Sequence, residues 1–204
     1  MAVVSAGTTI IDAGALGASA GAGKLTLIKT LTASGSSTLS FVDGASSVVL
    51  DATYDSYVFK FINLHPSTNN LNFQFNLSID SGSNYNVTKT TSYIRAYGTE
   101  DGSTGLGYRD SYDLAQSTNY QTLMVALEAQ NDNGGCGSMQ LFNPSSTTFV
   151  KHFVATSSFI QTSEVGQNSF VAGYGNTTSA VNAIRFQTHS GNFDGVIKLY
   201  GIGG

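Results

Sequence analysis

Asn70-Leu-Asn-Phe-Gln-Phe-Asn-Leu-Ser-Ile79 decides the fold class. Leu71, Phe73, Phe75, Leu77 and Ile79 alternate with polar residues along the whole stretch. Successive side chains of a strand point to opposite faces, so this period predicts a β-strand with one buried and one wet face. Immediately upstream, residues 54–64 predict a second long strand, with Tyr57, Phe59 and Phe61 on one face. The same signals predict strands at 24–32, 38–42, 46–50, 91–97, 120–128, 138–142, 148–155, 168–174, 181–187 and 195–202. Asp43-Gly44, residues 80–83, residues 131–135 and Ser190-Gly191 supply turn chemistry between them, because Gly, Asn and Asp enter turn conformations cheaply. The two prolines, Pro66 and Pro144, each follow one predicted strand and precede another. No stretch has sustained helical periodicity, and residues 110–117 reach at most a turn or two of helix. Many short strands joined by Gly/Asn/Ser turns predict an all-β fold, an antiparallel β-sandwich with the jelly-roll type favoured.

The 204-residue length suits one domain with a core large enough to need no metal or disulfide. Hydrophobic residues reach 41% while charged residues are 11%, against about 25% in ordinary soluble domains. A polar surface so poor in charge has little repulsion to keep copies apart, which suits a protein covered by neighbours in an assembly. The net charge is −4 and the nine Lys and Arg residues are scattered, so a nucleic-acid footprint is not expected. Cys136 is the single cysteine and has no internal partner. No apolar run approaches the ~18 residues of a transmembrane helix, so no membrane insertion is expected. Residues 1–11 lack the charged start and apolar run of a signal peptide.

Residues 1–23 differ in composition from the rest. Asp12 to Gly23 is a Gly/Ala/Ser stretch without periodicity. We expect an extended, flexible N-terminal arm at 1–23 and a single β-domain at 24–204. Val3, Val4, Ile10 and Ile11 are the bulky residues of the arm and its candidate anchors on a partner chain.

Catalytic spacings are missing. His65, His152 and His189 are far apart and outside any zinc-ligand spacing. No G-x-S-x-G elbow occurs. Gly21-Ala-Gly-Lys24 invites a phosphate-loop reading, but Ala18 stands where the first glycine belongs and Leu25 where Ser or Thr belongs. Residues 80–83 and 131–134 lack the spaced oxygens and closing Glu of a calcium loop. Asn76, Asn86 and Asn176 each begin a glycosylation sequon, a match that chance supplies in a chain so rich in Asn, Ser and Thr. We therefore expect no enzymatic activity, no cofactor and no metal. One loop region, 98–114, gathers Asp101, Tyr108, Arg109, Asp110 and Tyr112 beside Glu100 and Asp113. Carboxylates and tyrosines together suit a sugar or cation; the plainer reading is a solvated loop with turn-capping aspartates. The absence of Trp removes the commonest stacking platform for sugars, though Tyr108, Tyr112 or Tyr120 offers a substitute.

Five segments carry a resemblance: residues 27–41, 54–66 (Tyr-Asp-Ser-Tyr-Val-Phe-Lys-Phe-Ile-Asn-Leu-His-Pro), 141–153, 176–186 and 190–202. Together they resemble small β-rich proteins encoded by tailed phages, notably marine and cyanobacterial ones, over about residues 24–202. The resemblance is loose over 1–23. It implies a virion component of tail, fibre or capsid-decoration type, made in the host cytoplasm and located in the particle. Its expected partners are other virion proteins and itself, with a trimer favoured by analogy with phage fibres. A receptor- or host-glycan-binding module at a fibre tip is the alternative. The resemblance brings no catalytic residues with it.

Overall fold

The structure, a computed structural model, describes residues 25–203 and the backbone of three short stretches before them, 3–5, 8–12 and 15–16. All regular structure among the described residues is β. Near the N-terminus, β1 (Val3–Ser5), β2 (Thr8–Asp12) and β3 (Ala15–Leu16) pair antiparallel as a separate three-stranded sheet. These three strands fall within 1–23, the stretch expected to be an extended, flexible arm. The β-branched run Thr8-Thr-Ile-Ile11 favours that pairing. Val3 stands opposite Ile11 across it, Val4 is exposed, and the side chains of Val3, Ile10 and Ile11 lie outside the described residues. So does the Gly21–Lys24 stretch.

The remaining twelve strands form one antiparallel sheet. Its first part runs through β4 (Thr26–Ser36), β5 (Thr38–Val42), β6 (Ser56–Pro66), β7 (Leu71–Ser78), β8 (Lys89–Gly98) and β9 (Thr104–Tyr108). The second part comprises β10 (Gln121–Leu127), β11 (Gly135–Phe142), β12 (Lys151–Gln161), β13 (Val165–Gly175), β14 (Ala183–Thr188) and β15 (Phe193–Ile202). Hydrogen-bonded neighbours follow the order β4-β15-β6-β11-β12, and the sheet branches at β12. One branch continues through β13 and β8 to β9. The other crosses to β10 through the single pair Leu127↔Gln161 and continues through β7 and β14 to β5. The sheet therefore bends back over itself into a nearly closed, barrel-like shape.

Its inside is aromatic. Phe73, Phe75 and Phe186 on the β7–β14 side meet Phe59, Phe61, Phe153 and Phe193 on the facing strands, with ring centroids 5.0 to 5.6 Å apart in the pairs that cross the core. Leu71, Phe73, Phe75 and Leu77 are all buried, as their alternation predicts. The opposite face of β7 is less wet than expected, because Asn76 is also fully buried, covered by Lys89 and the Thr118 carbonyl. Ile79 lies beyond the strand end and is exposed.

Two expectations fail for local reasons. Residues 46–50 form no strand, since Ser46 and Ser47 adopt left-handed backbone (φ 50° and 66°) and close a turn. Val48 and Leu50 are nevertheless buried, so their apolar signal reports burial rather than extension. Conversely, β9 is a strand of sequence Thr-Gly-Leu-Gly-Tyr that its composition hides. Gly105 is required there because the Tyr97 ring occupies the space of a Cβ. Residues 110–117 contain no helix and make a turn closed by Tyr112 N–H to the Arg109 carbonyl at 3.1 Å.

Candidate functional site

Region 98–114 is divided by β9. Asp101 sits in the turn between β8 and β9, where its carboxylate accepts the Thr99 hydroxyl and the Ser103 N–H (3.0 Å). The Thr99 hydroxyl is the main reason its acidity is raised, so its pKa lies below the usual carboxylate range. This is a turn cap in which both bonds fall on one carboxylate oxygen, Oδ1. Tyr108, Arg109, Asp110 and Tyr112 lie at the far end of β9, whose four steps from Thr104 to Tyr108 span about 13 Å at the rise of an extended strand. The five residues therefore do not converge on one site.

The far end has its own geometry. The exposed Tyr108 hydroxyl donates to the Asp113 carboxylate, and this bond, the largest cause, raises the phenol pKa. Arg109 N–H donates to the Tyr93 carbonyl at 2.9 Å, and its guanidinium lies 5.7 Å from the centre of the Tyr112 ring. Tyr112 packs against buried Tyr93, with centroids 5.5 Å apart, so it is partly a core residue. Asp110 accepts the Ser111 hydroxyl at 3.4 Å. A groove of about 410 Å3 opens beside this turn, lined by Asn72, Gln74, Tyr112, Asp113, Asn119 and Tyr120 among others. Its walls are amides, a carboxylate and tyrosines. Tyr120, read at the sequence level only as a possible platform, joins Tyr112 here.

The histidines are dispersed in space as in sequence. His65 Nε2 is 3.0 Å from the Gln130 carbonyl, His189 Nδ1 accepts the Asn72 N–H at 3.0 Å, and His152 lies beside Tyr174, on the face of β12 opposite Phe153. Among the described residues, no group of three or more His, Cys, Asp or Glu is placed to hold a metal ion. Cys136 is exposed and accepts the Asn63 N–H at 3.4 Å.

Sequence reasoning missed two buried lysines. Lys89 donates to Asn76 Oδ1 at 2.5 Å and to the Val87 carbonyl at 2.8 Å; burial lowers its pKa to about 7. Lys151 donates to the carbonyls of Ser146, Phe149 and Thr177, and burial lowers its pKa too. Both flank Gly175 in one row across β12, β13 and β8. A signal existed: each lysine has the phase of the apolar residues in its strand, ahead of Tyr93 in one and Phe153 in the other.

The outward face of β11, β12, β13, β8 and β9 is unusual in another way. Its outward positions hold no Asp, Glu, Lys or Arg, since Lys89 and Lys151 point inward and Arg95 shares the phase of buried Tyr93. Exposed apolar side chains lie across it. Tyr108 is opposite Ile94, Ile94 is opposite Phe170, and Val154 is diagonal to Phe170 on the next strand. Leu106 on β9 is 78% exposed. Comparison with protein-family models, curated proteins and solved structures returns no match.

Proposed function

We propose that this chain is a structural protein of a tailed-phage particle, a tail, fibre or capsid-decoration component that acts through subunit assembly and not by catalysis. The observation that carries this reading is the charge-free outer face with its exposed Leu106, Tyr108, Ile94, Phe170 and Val154. A solvated sheet face is normally studded with charge, and contiguous exposed apolar groups mark contact surfaces. The phage resemblance of residues 24–202 supplies the class of assembly.

The strand order supports the finer architecture, a jelly roll. Leaving aside β8–β9 and β12–β13, the eight remaining main-sheet strands neighbour one another as β4-β15-β6-β11 and β5-β14-β7-β10. That is first-eighth-third-sixth and second-seventh-fourth-fifth, the double Greek key of the jelly roll, which recurs in viral capsid proteins and lectins. The two hairpins are then insertions that widen one layer into the outer face. Partners in this reading are other virion proteins and further copies of the chain, a trimer by analogy, with Val3, Val4, Ile10 and Ile11 as assembly anchors. No cofactor, nucleic acid or membrane is involved.

The polar groove at Tyr112, Asp113, Asn119 and Tyr120 favours a second reading, a host-glycan module at a fibre tip. Disrupting the gene and imaging the particles tests the first. We expect particles that lack one repeated feature and regain it when purified protein is added. Particles of ordinary architecture that no longer adsorb to the host, together with binding of the purified protein to host polysaccharide, would favour the second.

A further inference from the structure

We propose that the N-terminal segment of one copy, Val3 to Asp12, docks into a groove on the outward face of a second copy, between Leu25, Val58, Val154 and Ile202 and beside Lys60. The inference rests on the assembly reading and supplies the surface that receives its anchors.

The groove is the first observation. It encloses about 260 Å3 across β15, β6, β11 and β12. Leu25, Val58, Val154 and Ile202 supply its apolar lining, and Lys60 is its one charged residue. A cavity of about 150 Å3 accepts a benzene ring, so this volume has room for two aliphatic side chains. Leu25 and Val154 are 47% and 46% exposed, so the groove stands open in the single chain. Charge is the second observation. Lys60 lies directly opposite Lys198 across the β6–β15 pair. Like charges in that position repel, and no carboxylate lines the groove. The occupant that completes this surface therefore brings aliphatic side chains and a carboxylate together.

The chain itself carries such an occupant. Residues 1–23 contain one charged side chain, Asp12, directly after Ile10 and Ile11. β1, β2 and β3 pair only with one another, and Val4 is exposed. An apolar segment with a single carboxylate and an apolar groove with a lysine pair are thus both uncovered in one chain, so the match is made between copies. The segment rejoins the domain at Leu25, which lines the groove. The eight residues between Leu16 and Leu25 span at most about 30 Å, so the receiving copy is an immediate neighbour. Donor and acceptor surfaces differ, which makes the contact heterologous: each copy gives one segment and receives one. Where the rotation closes, such an exchange produces a ring, as a trimer requires. Other contacts in a particle hold the copies close and reinforce it.

Charge reversal in the full chain provides the test, read by sedimentation equilibrium. We expect wild type to associate with rising concentration. Asp12→Lys, and separately the pair Lys60→Glu with Lys198→Glu, should each weaken association about tenfold or more, with an unchanged far-ultraviolet spectrum. All three reversals in one chain should restore it, which misfolding cannot do. Single-cysteine variants in a Cys136→Ser background locate the contact. Val4→Cys mixed with Val154→Cys should give a disulfide-linked heterodimer on mild oxidation. Val4→Cys mixed with Phe149→Cys, an exposed aromatic outside the groove, should not. A wild type monomeric at every concentration, a failed rescue or a missing heterodimer would overturn the proposal. So would a Val4→Cys, Val154→Cys double variant that closes within one chain at high dilution, because the segment would then fill its own groove. The assembly reading fails separately. If the chain is absent from purified particles while the exchange forms, that reading is wrong and the contact stands.

Discussion

Phe186 touches the rings of Phe41, Phe59, Phe61, Phe73 and Phe75, and none of the six has measurable exposure beyond 2%. It lies where the two sides of the bent sheet face each other. Truncating it empties the centre of a close-packed cluster, so Phe186→Ala should lose ~3–5 kcal/mol in urea denaturation. A loss below about 1 kcal/mol would mean that the two sides do not pack through this ring. Lys89 presents the opposite problem, a cationic group in the interior. Its pKa falls from 10.5 unfolded to about 7 folded because burial disfavours the charged form. Between those values the unfolded chain binds more protons than the folded one, so stability rises with pH across that window and is flat with respect to this group below pH 7. Denaturation at pH 7 and pH 9.5 should show wild type gaining stability, and Lys89→Met should lose most of that gain. The upper limit matters, because Tyr57 and Tyr93, raised by burial to about 12, act in the other direction once pH passes 10. An equal gain in the variant would place the titration elsewhere.

Among the elements, β7 and β6 were legible from period alone, because strict alternation of large apolar residues has one structural solution. Residues 46–50 and β9 were not. In the first, apolar side chains reach the core from a turn; in the second, glycines replace the apolar face because the ring of Tyr97 covers Gly105. Loop 98–114 was legible as a cluster of polar residues, but one-dimensional spacing hid the strand that separates Asp101 from Tyr108, Arg109, Asp110 and Tyr112. The groove residues Asn72, Gln74 and Asn119 come from other segments and gave no local signal. The hairpin β12–β13 and its pairing to β8 can be tested through Gly173. A Cβ there would strike the Thr90 carbonyl oxygen and Thr91. Gly173→Ala should therefore push β8 from β13 and cost ~1–3 kcal/mol or more. Hydrogen exchange should rise at the amides of residues 89–98 before the rest of the sheet, and uniform protection would contradict the pairing.

At the scale of the whole molecule, low overall charge, an aromatic interior and an uncharged outer face occur together. The chain closes its core by bending one sheet over itself and leaves the outward face of β11, β12, β13, β8 and β9 without charge. The N-terminal stretch adds a further expectation: removing residues 1–23 should leave the β-domain folded, by circular dichroism, while lowering incorporation into particles. Incorporation at normal copy number would move the anchor to the domain's own faces. The most direct measurement is quantitative mass spectrometry of gradient-purified phage particles. The assembly reading expects this chain at a fixed, symmetric number of copies relative to the major capsid or tail protein. Its absence from the particles, with the protein found only in the soluble fraction of infected cells, would contradict it.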